Sequence, residues 1–173
     1  MDALEAIFTR RSVREYKSGK IDNEKIKILL DAAMCAPSAR NRQPWHFIVV
    51  ADREVLNQIP NYHPYADMMK SASLAILVCG EVDSERYREY LPVDCSAATE
   101  NLLLAARAIG LGAVWLGVYP RSKRMDGMRK LFNLPDTIIP ISLISIGYPD
   151  EKQEKVYRYK EEKIHWNKWH KAR

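Results

Sequence analysis

Hydrophobic spacing along the chain alternates between a period near four and short unbroken apolar runs. Leu4, Ile7 and Phe8 fall on one face of a first helix that Asp2 can cap. Asp22 can open a second helix running through about Cys35, with Ile26, Leu29, Leu30 and Ala33 at helical spacing and Pro37 stopping it. Four runs predict strands: WHFIVV (45–50), LAILVC (74–79), GAVWLGVY (112–119) and IIPISLISIG (138–147), the last with Pro140 near one end. Between the second and third lies PVDCSAATENLLLAARAIG (92–110), where Pro92 suits a helix start and Gly110 a C-terminal cap. Strands alternating with helices predict α/β or α+β architecture in one domain.

The 92–110 helix is apolar over most of its circumference, which predicts burial nearly all round. The core of one chain could provide that cover. A single layer of elements struggles to surround such a helix, however, so we expect a second copy of the subunit against it. From Glu151 onward the chain turns polar yet carries Tyr157, Arg158, Tyr159, Trp166 and Trp169. So many large aromatics predict an arm that packs on something, where a plain terminus would fray.

Composition narrows the class. The chain has 173 residues, 47% of them apolar and 28% charged, enough for one soluble domain with a substantial core. The net charge of +5 comes from 27 basic residues interleaved with 22 acidic ones. RSKR (121–124) and the terminal NKWHKAR contain no zinc-finger spacing and no aromatic RNA-reading motif, which argues against nucleic acid and for anionic small ligands. Cys35, Cys79 and Cys95 are widely spaced in apolar surroundings and read as reduced, mostly buried thiols of a cytosolic protein. His46, His63, His165 and His170 lack ligand spacing, so no metal site is expected. No stretch reaches the length of a membrane span and MDALEAIFTRR lacks the charge pattern of a secretory signal, which places the expected location in the cytoplasm.

The densest candidate chemistry is RRSVREY (10–16), where Arg10, Arg11 and Arg14 surround Ser12. Such a cluster is either a solvated turn or an anion clamp, since guanidinium forks match phosphate oxygens. It follows the C-terminus of the first helix, whose dipole favours cations, so the side chains themselves would have to hold the anion. Other patterns fail. GLGAVWLG has the wrong spacing for a dinucleotide loop and runs from helix into strand. Tyr16–Lys20 and Tyr159–Lys163 both fit Tyr-x-x-x-Lys, and two hits in one small chain show how little that pattern means. No self-contained nucleophile or acid–base pair is present, so we expect no catalytic side chain and a bound phosphorylated cofactor carrying the chemistry.

Four segments together, RRSVREY, APSARNRQPWHF (36–47), LLLAARAIGLGAVWLGVYP (102–120) and GYP…YRYKEEKIHWNKW, resemble the compact branch of the nitroreductase family in order and spacing. The resemblance covers essentially the whole chain, 1–173 as one domain. It implies an α+β fold with a central, mostly antiparallel sheet flanked by helices, and an interlocked homodimer with two FMN at its interface and the arm from about 151 on the dimer. Arg10, Arg11 and Ser12 would hold the FMN phosphate and ribityl chain, Arg14 the pyrimidine end, and Arg158 would reach back to the phosphate. Pro37, Ser38, Ala39 and Asn41, with Gln43, resemble the loop that the partner lays on the flavin, although this stretch could also be a plain connection into a strand. Gly117 matches the glycine whose backbone N–H faces flavin N5, while Leu116 stands where longer members often carry Glu. Residues 61–70 would line the substrate entrance. The implied activity is NAD(P)H-dependent reduction of nitroarenes, quinones or similar acceptors. Related branches perform reductive dehalogenation or flavin cleavage, and a flavin carrier or sensor is the reading from another class.

Overall fold

The computed structural model describes residues 1–82 and 85–169; residues 83, 84 and 170–173, including His170 and the end of NKWHKAR, lie outside them. In chain order the elements are α1 (Ala3–Thr9), β1 (Tyr16–Lys17), α2 (Asn23–Met34), β2 (Trp45–Val50), α3 (Arg53–Gln58), β3 (Leu74–Glu81), α4 (Leu91–Ala108), β4 (Gly112–Gly117), α5 (Ser122–Phe132) and β5 (Ile138–Pro149). Asp2 caps α1 by accepting the Glu5 N–H at 2.8 Å. Asp22 holds the N-cap position of α2 without a side-chain capping bond, and α2 ends at Cys35. Gly110, just past α4, takes φ of +80°, a left-handed value that glycine reaches without strain. The hydrophobic pattern did not single out β1, α3 or α5, which are short or largely polar.

Among the described residues every strand-to-strand ladder is antiparallel, with a single parallel bridge between Ser12 and Ala113, which decides for α+β. The order is β1-β5-β3-β2, with β4 also on β5, so β1 and β4 share one side of the longest strand. β3 is buried on both faces. Leu74, Ile76 and Val78 pack with α2 and α4, and Ala75, Leu77 and Cys79 pack with α3, α5 and the turns between residues 59 and 72. β5 changes phase along its length. Ile139 and Ile141 face the α4 side, and so do Ile144 and Ile146, with Leu143 opposite. The cause is a bulge: Val78 pairs with Ser142 and Cys79 with Pro140, which leaves Ile141 as the extra residue. Its carbonyl accepts from both Val118 N at 3.2 Å and Tyr119 N at 3.0 Å. Pro140, lacking an N–H, sits where the ladder is already interrupted.

α4 is not buried all round within one chain. Leu91, Cys95, Ala98, Leu102, Leu103 and Ala106 are in the core, but Val93 is 64% exposed and Leu104 only half-buried. Leu104 lines a groove shared with Met1, Ile7, Ala32 and Cys35, which puts α1 and α2 beside that uncovered face. Cys35 is accordingly exposed, whereas Cys79 and Cys95 are buried and burial pushes both thiols up to about 12. Among the described residues no helix is long and apolar enough to cross a membrane.

β1 is fixed from its inner side. The buried Tyr16 hydroxyl donates to the Val13 carbonyl at 2.7 Å and lies 3.1 Å from the Ser145 carbonyl. The Tyr16 ring covers Gly147 so closely that an added Cβ would lie 2.7 Å from Cδ1. Gly147→Ala is expected to cost about 1–3 kcal/mol and to loosen the preceding arginine segment. Urea unfolding, with hydrogen exchange at Val13 and Tyr16, measures both effects.

Candidate active site

The Arg10–Arg14 segment passes along the outer edge of β4. Val13 N–H donates to the Ala113 carbonyl at 3.0 Å, and Ser12 bridges Ala113. In an antiparallel strand successive residues turn their backbone groups to opposite edges. Val118 N bonds to β5, so Ala113, Trp115 and Gly117 turn theirs to the edge away from it. Arginine segment and glycine therefore lie at opposite ends of one backbone edge, about 13 Å apart at strand rise.

At the first end four guanidiniums crowd together. Arg10 Nε lies 3.4 Å from Glu100 Oε1, and Arg107 Nε donates to Thr9 Oγ1 at 2.9 Å. Arg11 folds back on the C-terminus of α1, donating to the Phe8 carbonyl at 2.9 Å and to the Arg10 carbonyl, as a cation there should. Its Nε is buried with no hydrogen-bond partner. Burial first, then the charges of Arg158, Arg10 and Arg107, push the Arg11 pKa below the ordinary arginine value. A groove of about 540 Å³ runs past Arg10, Arg11, Lys155 and Arg158, so the C-terminal arm meets the start of the chain here. Lys155 lies 4.9 Å above the rings of both Phe8 and Tyr157. Arg14 is exposed; its N–H donates to Glu151 Oε1 at 2.6 Å and its Nη1 to the Ser12 carbonyl at 3.3 Å. Like charges at this density are unfavourable unless an anion joins them.

At the other end the Gly117 carbonyl accepts from Arg124 Nη1 at 2.7 Å and from His63 Nε2 at 3.0 Å. The carbonyl can only accept, so His63 carries its proton on Nε2, and Nδ1 receives the Tyr65 N–H at 3.3 Å. His63 is buried, and desolvation with Arg124 nearby lowers its pKa despite the Gly117 bond, which keeps the ring neutral. A Cβ built on Gly117 would meet nothing within 4 Å. Among the described residues nothing crowds the space that a side chain at Gly117 would fill. Leu116 departs from the resemblance: its side chain is buried beneath the sheet among the α5-side core residues and does not set the polarity beside Gly117.

The Pro37–Gln43 loop is wound tightly. Ser38 Oγ accepts the Gln43 N–H at 2.9 Å, and Asn41 N–H donates to the Ser38 carbonyl at 2.9 Å. Arg40, Asn41 and Gln43 all hold positive φ, between 52° and 55°, a cost that non-glycine residues bear only where surroundings enforce it. Buried Asp94 enforces it, accepting the Ala39 N–H at 3.0 Å, and Arg40 and Arg42 stack over Tyr87. The structure does not bring this loop to the clamp within one chain. Asp94 is at the start of α4 and Arg107 near its end, about 20 Å away along the axis.

Sequence reasoning missed Asp94, Glu100, Lys155, Glu151, His63 and Arg124. Arg124 and His63 lie in segments the sequence singled out, RSKR and 61–70, without a role for either; the other four act on partners distant in sequence. Of the 61–70 segment, Asn61–Pro64 line a cavity of about 650 Å³ together with Arg121–Arg124.

Comparison with known proteins identifies the family. The Nitroreductase family profile matches residues 7–63 and 56–148. A protein of Methanothermobacter thermautotrophicus, provisionally named NADH dehydrogenase/NAD(P)H nitroreductase, is 49% identical over 169 residues, covering 98% of this chain and 88% of the relative. A crystal structure from Parabacteroides distasonis bearing the same provisional name superposes with a TM-score of 0.91 at 45% identity, covering 96% of this chain and 98% of the other. One from Desulfovibrio desulfuricans, described as a nitroreductase in complex with FMN, gives 0.83 at 28% identity and covers 96% and 97%. With the family profile spanning more than half of its length and relatives matching it end to end, the chain belongs to the nitroreductase family.

Proposed function

We propose that the protein is an FMN-dependent NAD(P)H oxidoreductase that reduces nitroaromatic, quinone or similar small electrophilic acceptors, and that it works as a homodimer. The observation that carries the reading is the pairing of an uncompensated guanidinium cluster with an open glycine on one strand edge. Arg10, Arg11 and Arg158, with Lys155, fit a terminal phosphate, and the orphaned Arg11 Nε is a donor in want of an acceptor. Gly117 fits a flat ring laid against its N–H, because the space a side chain would fill is empty. FMN, when bound, supplies acceptance of hydride from NAD(P)H and its transfer onward. The protein's part is to hold, orient and polarise: His63 and Arg124 fix the Gly117 carbonyl, and Arg14 offers a fixed cation for negative charge gained on reduction. Relatives whose names or crystals carry NAD(P)H and FMN support the cofactors.

The dimer follows from what one chain leaves undone. Leu4, Ile7, Phe8, Ile28, Met34 and Val93 are exposed on α1, α2 and α4, and the arm leaves Tyr157, Tyr159, Trp166 and Trp169 about four-fifths exposed. Patches of this kind mark interfaces. A second subunit would cover them and would bring Ser38, Asn41 and Gln43 to a flavin that their own chain holds out of reach. Nothing about this pairing requires the loop to move, since Asp94 already fixes its form.

Arg10→Ala should weaken FMN binding about ten- to a hundredfold, the worth of a charge-assisted hydrogen bond. Glu100→Gln should strengthen it about two- to fivefold by freeing Arg10 from an exposed ion pair. Fluorescence titration with FMN measures both, and equal affinities in all three proteins would remove the clamp. Arg14→Ala should instead lower the midpoint potential of bound FMN while altering the oxidised dissociation constant little; redox titration alongside Arg10→Ala separates the two roles. Gly117→Ala should leave urea stability within about 0.5 kcal/mol but impair flavin binding, since only the ligand occupies that space. Val93→Glu sets a charge on the exposed face of α4 and is expected to give monomers that lose FMN on gel filtration. Monomers with full flavin content would rule out a shared site.

A further inference from the structure

The 650 Å³ cavity, two of whose wall residues bond the Gly117 carbonyl, is more basic than nitroarene or quinone reduction requires. Arg121, Lys123 and Arg124 line it, and no carboxylate does. Arg124 and the buried His63 form part of its wall and both bond the Gly117 carbonyl, so the cavity adjoins the peptide where electrons would be exchanged. The wall's positive charge is not cancelled locally. His63 is neutral, with its proton committed to Gly117 and its other nitrogen to Tyr65 N–H. Among the described residues neither Arg121 nor Lys123 has an ion-pair partner. α5 starts at this wall with no acidic residue in its first turn and no side-chain cap on its first amides, which adds partial charge of the same sign. Tyr62 contributes an apolar surface, and the Arg124 guanidinium lies 5.3 Å over the Tyr65 ring, which holds that cation in place.

We propose that this cavity is a subsite for an anionic group, a phosphate or a carboxylate, on the small molecule that exchanges electrons beside Gly117. The inference rests on the flavin oxidoreductase reading and deepens it: Arg121 and Lys123 hold a negatively charged group of one substrate and select for it. Two sources supply such a group, the phosphates of the pyridine nucleotide donor and an acidic substituent on the acceptor. Both cations are exposed, Arg121 at the N-cap of α5 and Lys123 in its first turn, so removing them leaves the core untouched.

The test uses the FMN-loaded protein and the variants Arg121→Ala, Lys123→Ala and the double substitution. Rapid-mixing measurements compare reduction by reduced nicotinamide mononucleotide, which carries a phosphate, with reduction by the uncharged N-benzyl-dihydronicotinamide. They also compare reoxidation by 4-nitrobenzoate with reoxidation by 4-nitrobenzyl alcohol. In one pair the double variant should lose about five- to tenfold on the charged member while the neutral member stays within about twofold. The pair affected identifies the source. An unchanged charged-to-neutral ratio in both pairs overturns the subsite. Calorimetric titration with inorganic pyrophosphate, with excess FMN present, reads the same cations without any turnover. Weaker pyrophosphate binding in the double variant supports the subsite, and equal binding in wild type and variant overturns it. Failure of the flavin reading shows separately, as absence of a flavin absorption band in the purified protein.

Discussion

An edge strand presents backbone donors and acceptors that must find partners, and β4 answers that demand with the residues that make the site. At its start Val13 N–H takes the Ala113 carbonyl and so carries the arginine segment onto the edge. At its end the Gly117 carbonyl is taken by a histidine and an arginine reaching in from two other segments. Between these anchors the edge faces outward. A sheet closed on that side would have neither clamp nor open glycine, and an unanchored edge would invite pairing with any passing strand. The alternation of one short strand thus sets the spacing of the whole site.

Electrostatic strain is concentrated at the other extreme of design. Arg10, Arg11, Arg107 and Arg158 repel one another, and among the described residues only the exposed Glu100 is paired directly with one of them. The helix that brings Glu100 and Arg107 to the cluster also carries Asp94, which holds the strained loop at its opposite end. α4 is therefore a ruler: one face is in the core, and its two ends fix the strained loop and the arginine cluster. Its outward face stays apolar and uncovered, consistent with a second subunit laid along it.

Local signals in the sequence were legible where one residue type acts within a turn or two. Asp2 at a helix start, Pro92 and Gly110 around α4, and four β-branched strands are of this kind, and the arginine cluster stood out by charge density alone. What escaped depended on tertiary partners. α4 looked buried all round because apolarity does not say what covers a face, and Val93, 64% exposed, has no cover within the chain. Cys35 sits in an apolar stretch yet is exposed, for the same reason. Leu116 drew notice as a substitution beside Gly117, but strand alternation turns its side chain into the core. Asp94 and His63 carry no motif, since a buried polar residue is recognisable only once its partners are known.

The clamp draws on both ends of the chain, Arg10 and Arg11 from the start and Arg158 from the arm. An anion held between them closes the polypeptide into a ring, acting as a removable staple across nearly its entire length. By linkage, whatever the anion gains from arm docking the arm gains from the anion. Emptying the clamp would then free the arm for proteolysis, and trimming the arm would shorten the residence time of the cofactor. Retention and turnover of the protein in the cell become two readings of one equilibrium.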